Sequence, residues 1–260
     1  MSKEKSENAI SEKENTSVAV PSAFIEDANS GLETLTAEDI TIPRLKVLQA
    51  MSPEVMKSDG KYVEGASAGD IINTVTGKLY TNDNPLVALP VAYKRLFLEW
   101  GPRESGGGLV AQHEDASILS KTTKDNMGRD MLENGNYIQT SATHFVLSLN
   151  EDGSYDSAMI AMAGTQLKKS RTWNSVMASI KMRSGDKVFT PASFSHKYVM
   201  KTKAESNDRG TWFGWNITLD GPLGEDEMFF YQAAKDFAST VGEVNLSQSN
   251  DNESTSEAPF

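Results

Sequence analysis

Residues 165–186 read TQLKKSRTWNSVMASIKMRSGD, and this stretch decides the fold. Trp173, Val176, Met177 and Ile180 stand at i, i+3, i+4 and i+7, which places them on one face of a helix. Ser184, Gly185 and Asp186 end that helix. On both sides of it the period changes to two. YIQTSATHFVLSLN (137–150) and SYDSAMIAMAG (154–164) precede it as two strands joined by the turn EDGS. FSHKYVMKTK (194–203) and GTWFGWNITLDG (210–221) follow it as two more. The spacing predicts one helix set into a run of antiparallel strands.

Farther upstream, GASAGDIINTVTGKLY (65–80) carries β-branched residues between glycines, with a turn at Thr76-Gly77, and PLVALPVAYKRLFLEW (85–100) is a longer strand. Pro43 and Pro53 break EDITIPRLKVLQAMSPEV (38–55) into short pieces. GPRESGGGLV (101–110) is a Gly-rich loop that lacks the GxxxxGK[ST] pattern of a phosphate-binding loop. SILSKTTKDNMGRDMLENGN (117–136) is polar and loop-like, with room for one helical turn. Downstream, EDEMFFYQAAKDFAST (225–240) is an amphipathic helix with acidic residues at its start, where the helix dipole favours them. The fold class predicted is mainly β with minor α: an OB-fold-like antiparallel barrel of five or six strands, a helix inserted between the fourth and fifth strands, and a C-terminal helix. A β-sandwich is the alternative that periodicity leaves open. Residues 1–38 and 241–260 are polar and hold few large apolar side chains, so they read as a disordered arm and a disordered acidic tail around a domain at 39–240.

The formal net charge is −11, but it is unevenly spread. Residues 1–40 hold 3 Lys against 9 Asp and Glu, net −6; residues 220–260 hold 1 Lys against 9, net −8. Residues 160–219 hold 10 Lys and Arg against 3 acids, net +7. A basic block followed by an acidic arm is the pattern of an anion-binding body, and a solvated basic face is the plainer reading of the same residues. There is no Cys, hence no disulfide framework and no thiolate chemistry, which fits a reducing cytoplasm. The start has no apolar core of a secretory signal, and no run of eighteen apolar residues exists to span a membrane.

Strand alternation sorts the candidate binding residues. Lys197, Lys201 and Lys203 share one face of their strand, and Phe194, Tyr198 and Met200 share the other. In the next strand Phe213, Trp215, Ile217 and Leu219 read as core, which leaves Trp212 on the polar face as a candidate stacking platform. Tyr93, Arg95 and Phe97 form an aromatic, cation, aromatic series at period two, the combination that stacks bases and meets phosphates. Leu96, Leu98 and Trp100 compete for the same core, so Tyr93 and Phe97 also read as core residues. Trp173 belongs with the core stripe of the helix. Lys168 and Lys169 fall in the first helical turn, where cations oppose the dipole and an anion is welcome. A helix that begins one turn later would put them in a loop. Arg171 and Arg209 complete the basic set.

Catalytic patterns are lacking. His113, His144 and His196 lie far apart and match no metal spacing, and His196 reads as a satisfied structural residue. No GxSxG, no GxGxxG after a strand and no paired carboxylate motif occurs, and NEDGSYD (150–156) reads as a hairpin turn and not a calcium loop. The expectation is a protein without enzymatic activity, metal or cofactor.

The body and the tail DNESTSEAPF (251–260) together resemble the OB-fold single-stranded DNA-binding proteins of bacteria and T7-like phages, which carry a basic, aromatic groove and an acidic tail ending in Phe. IPRLKVLQAMSPEV (42–55), GASAGDIINTVTGKLY and YKRLFLEWGPRES (93–105) are similar to a group of phage-encoded proteins of this size. The resemblance implies sequence-tolerant binding of single-stranded DNA in phage replication or recombination, in the cytoplasm of the infected host. It implies that Asp251, Glu253, Glu257 and Phe260 dock replication or recombination proteins, and it leaves homo-oligomerisation open. This tail departs from the family in being less acidic and in carrying Ala258-Pro259 before the Phe. A strand-annealing recombination protein, and a virion or scaffold protein that binds no DNA, are the alternatives.

Overall fold

A computed structural model describes residues 21–28, 30–34, 41–102, 106–208 and 210–241. The chain divides into two compact units, Met1–Asp39 and Ile40–Phe260. Among the described residues of the first lies a short helix, α1 (Ser22–Glu26), with Pro21 before it at φ −57° and none of its residues buried. The candidate tail residues Asp251, Glu253, Glu257 and Phe260 lie outside the described residues, as does Arg209.

The second unit contains, in order, β1 (Leu45–Val47), β2 (Ile71–Asn73), β3 (Leu79–Tyr80), β4 (Leu86–Trp100), β5 (Leu109–His113), β6 (Thr123–Lys124), β7 (Asp130–Met131), β8 (Tyr137–Leu149) and β9 (Tyr155–Ala163). After these come α2 (Leu167–Ser179), β10 (Met182–Ser184), β11 (Lys187–Phe189), β12 (His196–Asn207), β13 (Gly210–Pro222) and α3 (Met228–Thr240). Five long strands lie in the order β9-β8-β4-β12-β13, each antiparallel to its neighbour. β1, β2 and β3 make a separate three-stranded sheet. The inserted helix α2 therefore follows the third long strand and precedes the fourth, not the fourth and fifth as the sequence predicted. The architecture is mainly β, a curled antiparallel half-barrel of OB-like plan with helices on its faces.

Alternation gives the sheet two apolar faces. Ala142 and Val146 of β8, Ala158, Ile160 and Met162 of β9, and Tyr198 and Met200 of β12 face α2, whose Trp173, Val176 and Met177 complete that core. Phe145 and Leu147 of β8 and Leu96, Leu98 and Trp100 of β4 face the other way, onto Phe230, Ala234 and Phe237 of α3. β4 changes phase on the way, because its pairing with β8 shifts between Pro90 and Ala92. Proline has no N–H to give a ladder, and a bulge is where a central strand tolerates it.

β13 is an edge, and an edge strand exposes unpaired N–H and C=O groups. Two glutamines cover them. Gln49 accepts from the Phe213 N–H at 2.9 Å and returns a bond from its own amide to the Phe213 C=O at 2.9 Å. Gln166 accepts from the Trp215 N–H at 3.0 Å. The segment that delivers Gln49 is also tied to the opposite edge: the Met159 N–H of β9 donates to the Pro43 C=O at 2.8 Å, and Arg44 bridges Met159 in parallel. Gly69, whose N–H donates to the Leu48 C=O and which stands at φ +98°, lets the chain entering β2 pass Phe213, since a Cβ there would come within 2.8 Å of the ring. Gln49→Leu keeps the side-chain size and removes both bonds to Phe213. It is expected to cost about 2 kcal/mol, read as a lower urea midpoint with an unchanged m-value.

Candidate nucleic-acid interface

Of the three β4 candidates, two stand open. Tyr93 is 43% exposed and Arg95 is exposed, with no ion-pair partner among the described residues. Phe97 shares their parity but is 3% exposed, between His113 of β5 and Thr140 of β8 in the register, so it is a packed residue and leaves the binding set. Tyr93 rests on His144, ring centroids 5.0 Å apart, and His144 stacks on Trp173 of α2 at 4.4 Å. Ser170 of α2 meets the His144 Nε2 at 2.8 Å. This chain fixes α2 beside Tyr93 and leaves Arg171, one position further, exposed.

The basic face of β12 is narrower than its lysine spacing promised. Lys197 donates to Glu227 at 2.6 Å, just ahead of α3, and is thereby removed from the set open to an anion. Lys201 and Lys203 have no partner among the described residues, and Lys203 is exposed. Trp212 is no platform. It is 7% exposed, and its Nε1 donates to Glu205, its cross-strand neighbour, at 3.2 Å. Glu205 accounts for the difference from the sequence expectation: a carboxylate on that face gives the indole a hydrogen-bond partner, so the ring packs instead of facing water.

The helix begins at Leu167 without a side-chain cap, so Lys168 and Lys169 do stand in its first turn. Lys169 is not kept for an anion, because it pairs with Glu205. Lys168 remains exposed. Between α2 and the β12–β13 hairpin lies a cleft of about 430 Å³, lined in part by Lys168, Trp173, Tyr198 and Trp215. The sequence reading missed one cationic element, the ribbon of β10 and β11. Lys181, Arg183 and Lys187 are exposed on and beside it, together with Met182, Val188 and Phe189. The signal is SGD between MR and KVF, a turn between two short β-prone pieces, which in the sequence pattern also marks the end of the helix.

The histidines are structural. His196 meets the Ser195 hydroxyl through Nδ1 at 2.7 Å, and burial lowers its pKa. His113 meets Glu99 at 2.9 Å, and hydrogen bonds from Asn136 first, then His113 and Asn134, hold that carboxyl below its ordinary range. His144 is buried, and desolvation pushes its pKa down to about 3. Among the described residues no group of three or more metal-ligating side chains occurs, and no helix is long and apolar enough to cross a membrane.

The unfolded chain takes up a proton at residue 144 near pH 6.5, whereas the folded chain holds the imidazole neutral down to about pH 3. Stability therefore falls as pH drops through that window, by at most about 1.4 kcal/mol per pH unit for this one group. In His144→Gln the slope of unfolding free energy against pH, followed by urea titration, becomes shallower below pH 6.5. Trp212→Ala is expected to destabilise the protein by about 3–5 kcal/mol, visible as a large drop in melting temperature.

Residues 12–246 match the family model described as Pam3 phage gp34-like protein. No curated protein matches the chain, and no solved structure does.

Proposed function

We propose that this chain, which belongs to the Pam3 phage gp34-like family, is a single-stranded DNA-binding protein of the phage replication or recombination apparatus. The observation that carries the reading is the open pair Tyr93 and Arg95, a ring and an unpaired cation at period two, beside the basic start of α2. A ring on a strand face stacks a base of any sequence, and a neighbouring guanidinium meets its phosphate. Lys168, Arg171, Lys201 and Lys203 add positive charge without carboxylate partners among the described residues. The contact set is thus Tyr93, Arg95, Lys168, Arg171, Lys201 and Lys203, and the β10–β11 ribbon joins it. Binding needs no catalysis and no cofactor. In the same reading the acidic tail with its terminal Phe260 recruits replication or recombination proteins in the infected cell.

Fluorescence anisotropy of a labelled dT oligomer, at low and moderate salt beside a duplex of equal length, tests the reading. Single strand is expected to bind more tightly than duplex, and affinity to fall with salt as counterions are released. The double change Tyr93→Ala and Arg95→Ala weakens binding about tenfold or more, given roughly 1–3 kcal/mol per stacked base. Replacing Lys168, Arg171 and Lys203 by Ala flattens the salt slope. Absence of single-strand binding at low salt overturns the reading in favour of a virion or scaffold role. Accelerated pairing of complementary strands by a large oligomer turns it into strand annealing.

A further inference from the structure

The ribbon of β10 and β11 stands out from the body. Every residue from 181 to 190 is exposed, and among the described residues the two strands pair only with each other. A two-stranded hairpin with nothing packed on it is marginal in water. Alternation gives it two faces. Met182 lies opposite Phe189 and Ser184 opposite Lys187, so one face carries an apolar pair with a cation beside it. Lys187 has no ion-pair partner among the described residues. The other face carries Arg183 and Val188, and Arg183 reaches Asp186 at 3.8 Å.

A second exposed apolar patch lies at the start of α3. Tyr155 of β9 meets Phe230 edge to face at 6.1 Å, and Phe230 lies 3.9 Å from Phe229, so the three rings are continuous. Phe230 is buried, but Tyr155 is 43% exposed, and Met228 and Phe229 are each 50% exposed. Scattered exposed apolar residues are ordinary, whereas a contiguous cluster marks an interaction surface. The rim of this cluster is acidic. Glu225 and Asp226 stand just ahead of Met228, Glu151 and Asp152 stand in the turn that leads into Tyr155, and all four are exposed. Glu225 and Asp226 have no ion-pair partner among the described residues, unlike Glu227, which holds Lys197.

One patch is apolar with a cation, the other apolar with carboxylates. Within one copy neither covers the other, since both stand exposed. A polyanion answers Lys187 but is repelled by the acidic rim, so it accounts for one patch only; a second copy accounts for both. We propose that the ribbon of one copy docks, through Met182, Phe189 and Lys187, on the patch of a second copy at Tyr155, Met228 and Phe229, with Lys187 meeting Glu225 or Asp226. The contact joins two different surfaces, so it is head-to-tail. The opposite face of the ribbon, with Arg183, stays open to the strand of the reading above. A contact of so few residues is weak alone. Along a strand, where bound copies stand side by side at high effective concentration, it gives cooperative coverage. That consequence rests on the single-stranded DNA reading; the contact does not, and its test contains no DNA.

Sedimentation velocity of the full chain, followed from roughly 10 µM to 1 mM, reads the contact. The wild-type chain is expected to form oligomers that grow with concentration and that salt weakens. Phe189→Glu and Phe229→Glu each change an exposed side chain, and each should weaken association about tenfold or more. Met228→Glu replaces the second variant should Phe229→Glu fold poorly. Mixed in equal amounts, the two variants should form a one-to-one complex and stop there, because the Phe229→Glu copy keeps its ribbon and the Phe189→Glu copy keeps its patch. A wild-type chain that stays monomeric throughout overturns the proposal and leaves the ribbon to the strand or to the acidic tail. Association that both variants leave unchanged overturns the contact, and a mixture that fails to pair overturns its head-to-tail form. Binding of the dT oligomer through Tyr93 and Arg95 stands or falls separately.

Discussion

Two glutamine side chains govern the far edge of the half-barrel. The long strands end at β13 on one side and at β9 on the other, and neither edge finds a further long strand. Gln49 satisfies both backbone groups of Phe213, and Gln166 satisfies the Trp215 N–H two residues on. Gln49 does what a neighbouring strand would do, with an acceptor and a donor at the spacing of one peptide group, and Gln166 supplies an acceptor alone. The same bonds locate two other parts of the protein. Gln49 stands after β1, in the segment that also bonds to β9, so the gap between the edges is spanned. Gln166 stands one residue before α2, so the first helical turn is set against β13, and with it Lys168, Lys169 and the cleft.

This placement explains why a net +7 block does not become a continuous basic surface. Lys169 is carried to Glu205, and Lys197 to Glu227 ahead of α3. Glu227 also accepts from the Gly224 N–H at 2.8 Å, and this bond first, then Lys197, keeps its carboxyl below the ordinary range. These cations serve to join elements. Counting charge along the chain measures how many cations a segment has and says nothing of which carboxylate the fold brings to each.

The strands were legible because their burial is one-sided or two-sided in regular ways. β12 alternates over its first seven residues, β8 is buried on both faces through its second half, and the helices show their apolar stripes. The site was less legible, for local reasons. Trp212 has the parity of a polar face, but parity cannot foresee Glu205 opposite it. Phe97 has the parity of Tyr93, but β4 is flanked there by both β5 and β8. The position of α2 in the strand order was misjudged because β2 and β3 look like barrel strands in sequence and pair only with β1 and each other. The β10–β11 ribbon was missed because three-residue strands carry too little periodicity to register.

Helices on both faces leave little of the sheet free. α2 covers one apolar face and α3 the other, so aromatic side chains that alternate toward either are consumed by packing. Tyr93 is the exception, 43% exposed and resting on His144. His144 is neutral and stacked on Trp173, and therefore supports Tyr93 without adding charge to the surface. A surface for a flexible polyanion on such a fold has to be discontinuous, made of a strip of β4, the outer side of α2 and the ribbon that follows it. Discontinuity suits a single strand, whose backbone bends between contacts, and works against a duplex, which is stiff on this scale. On the proposed reading, a preference for single strand over duplex comes from how the helices cover the sheet, with no need for any residue that reads the difference directly.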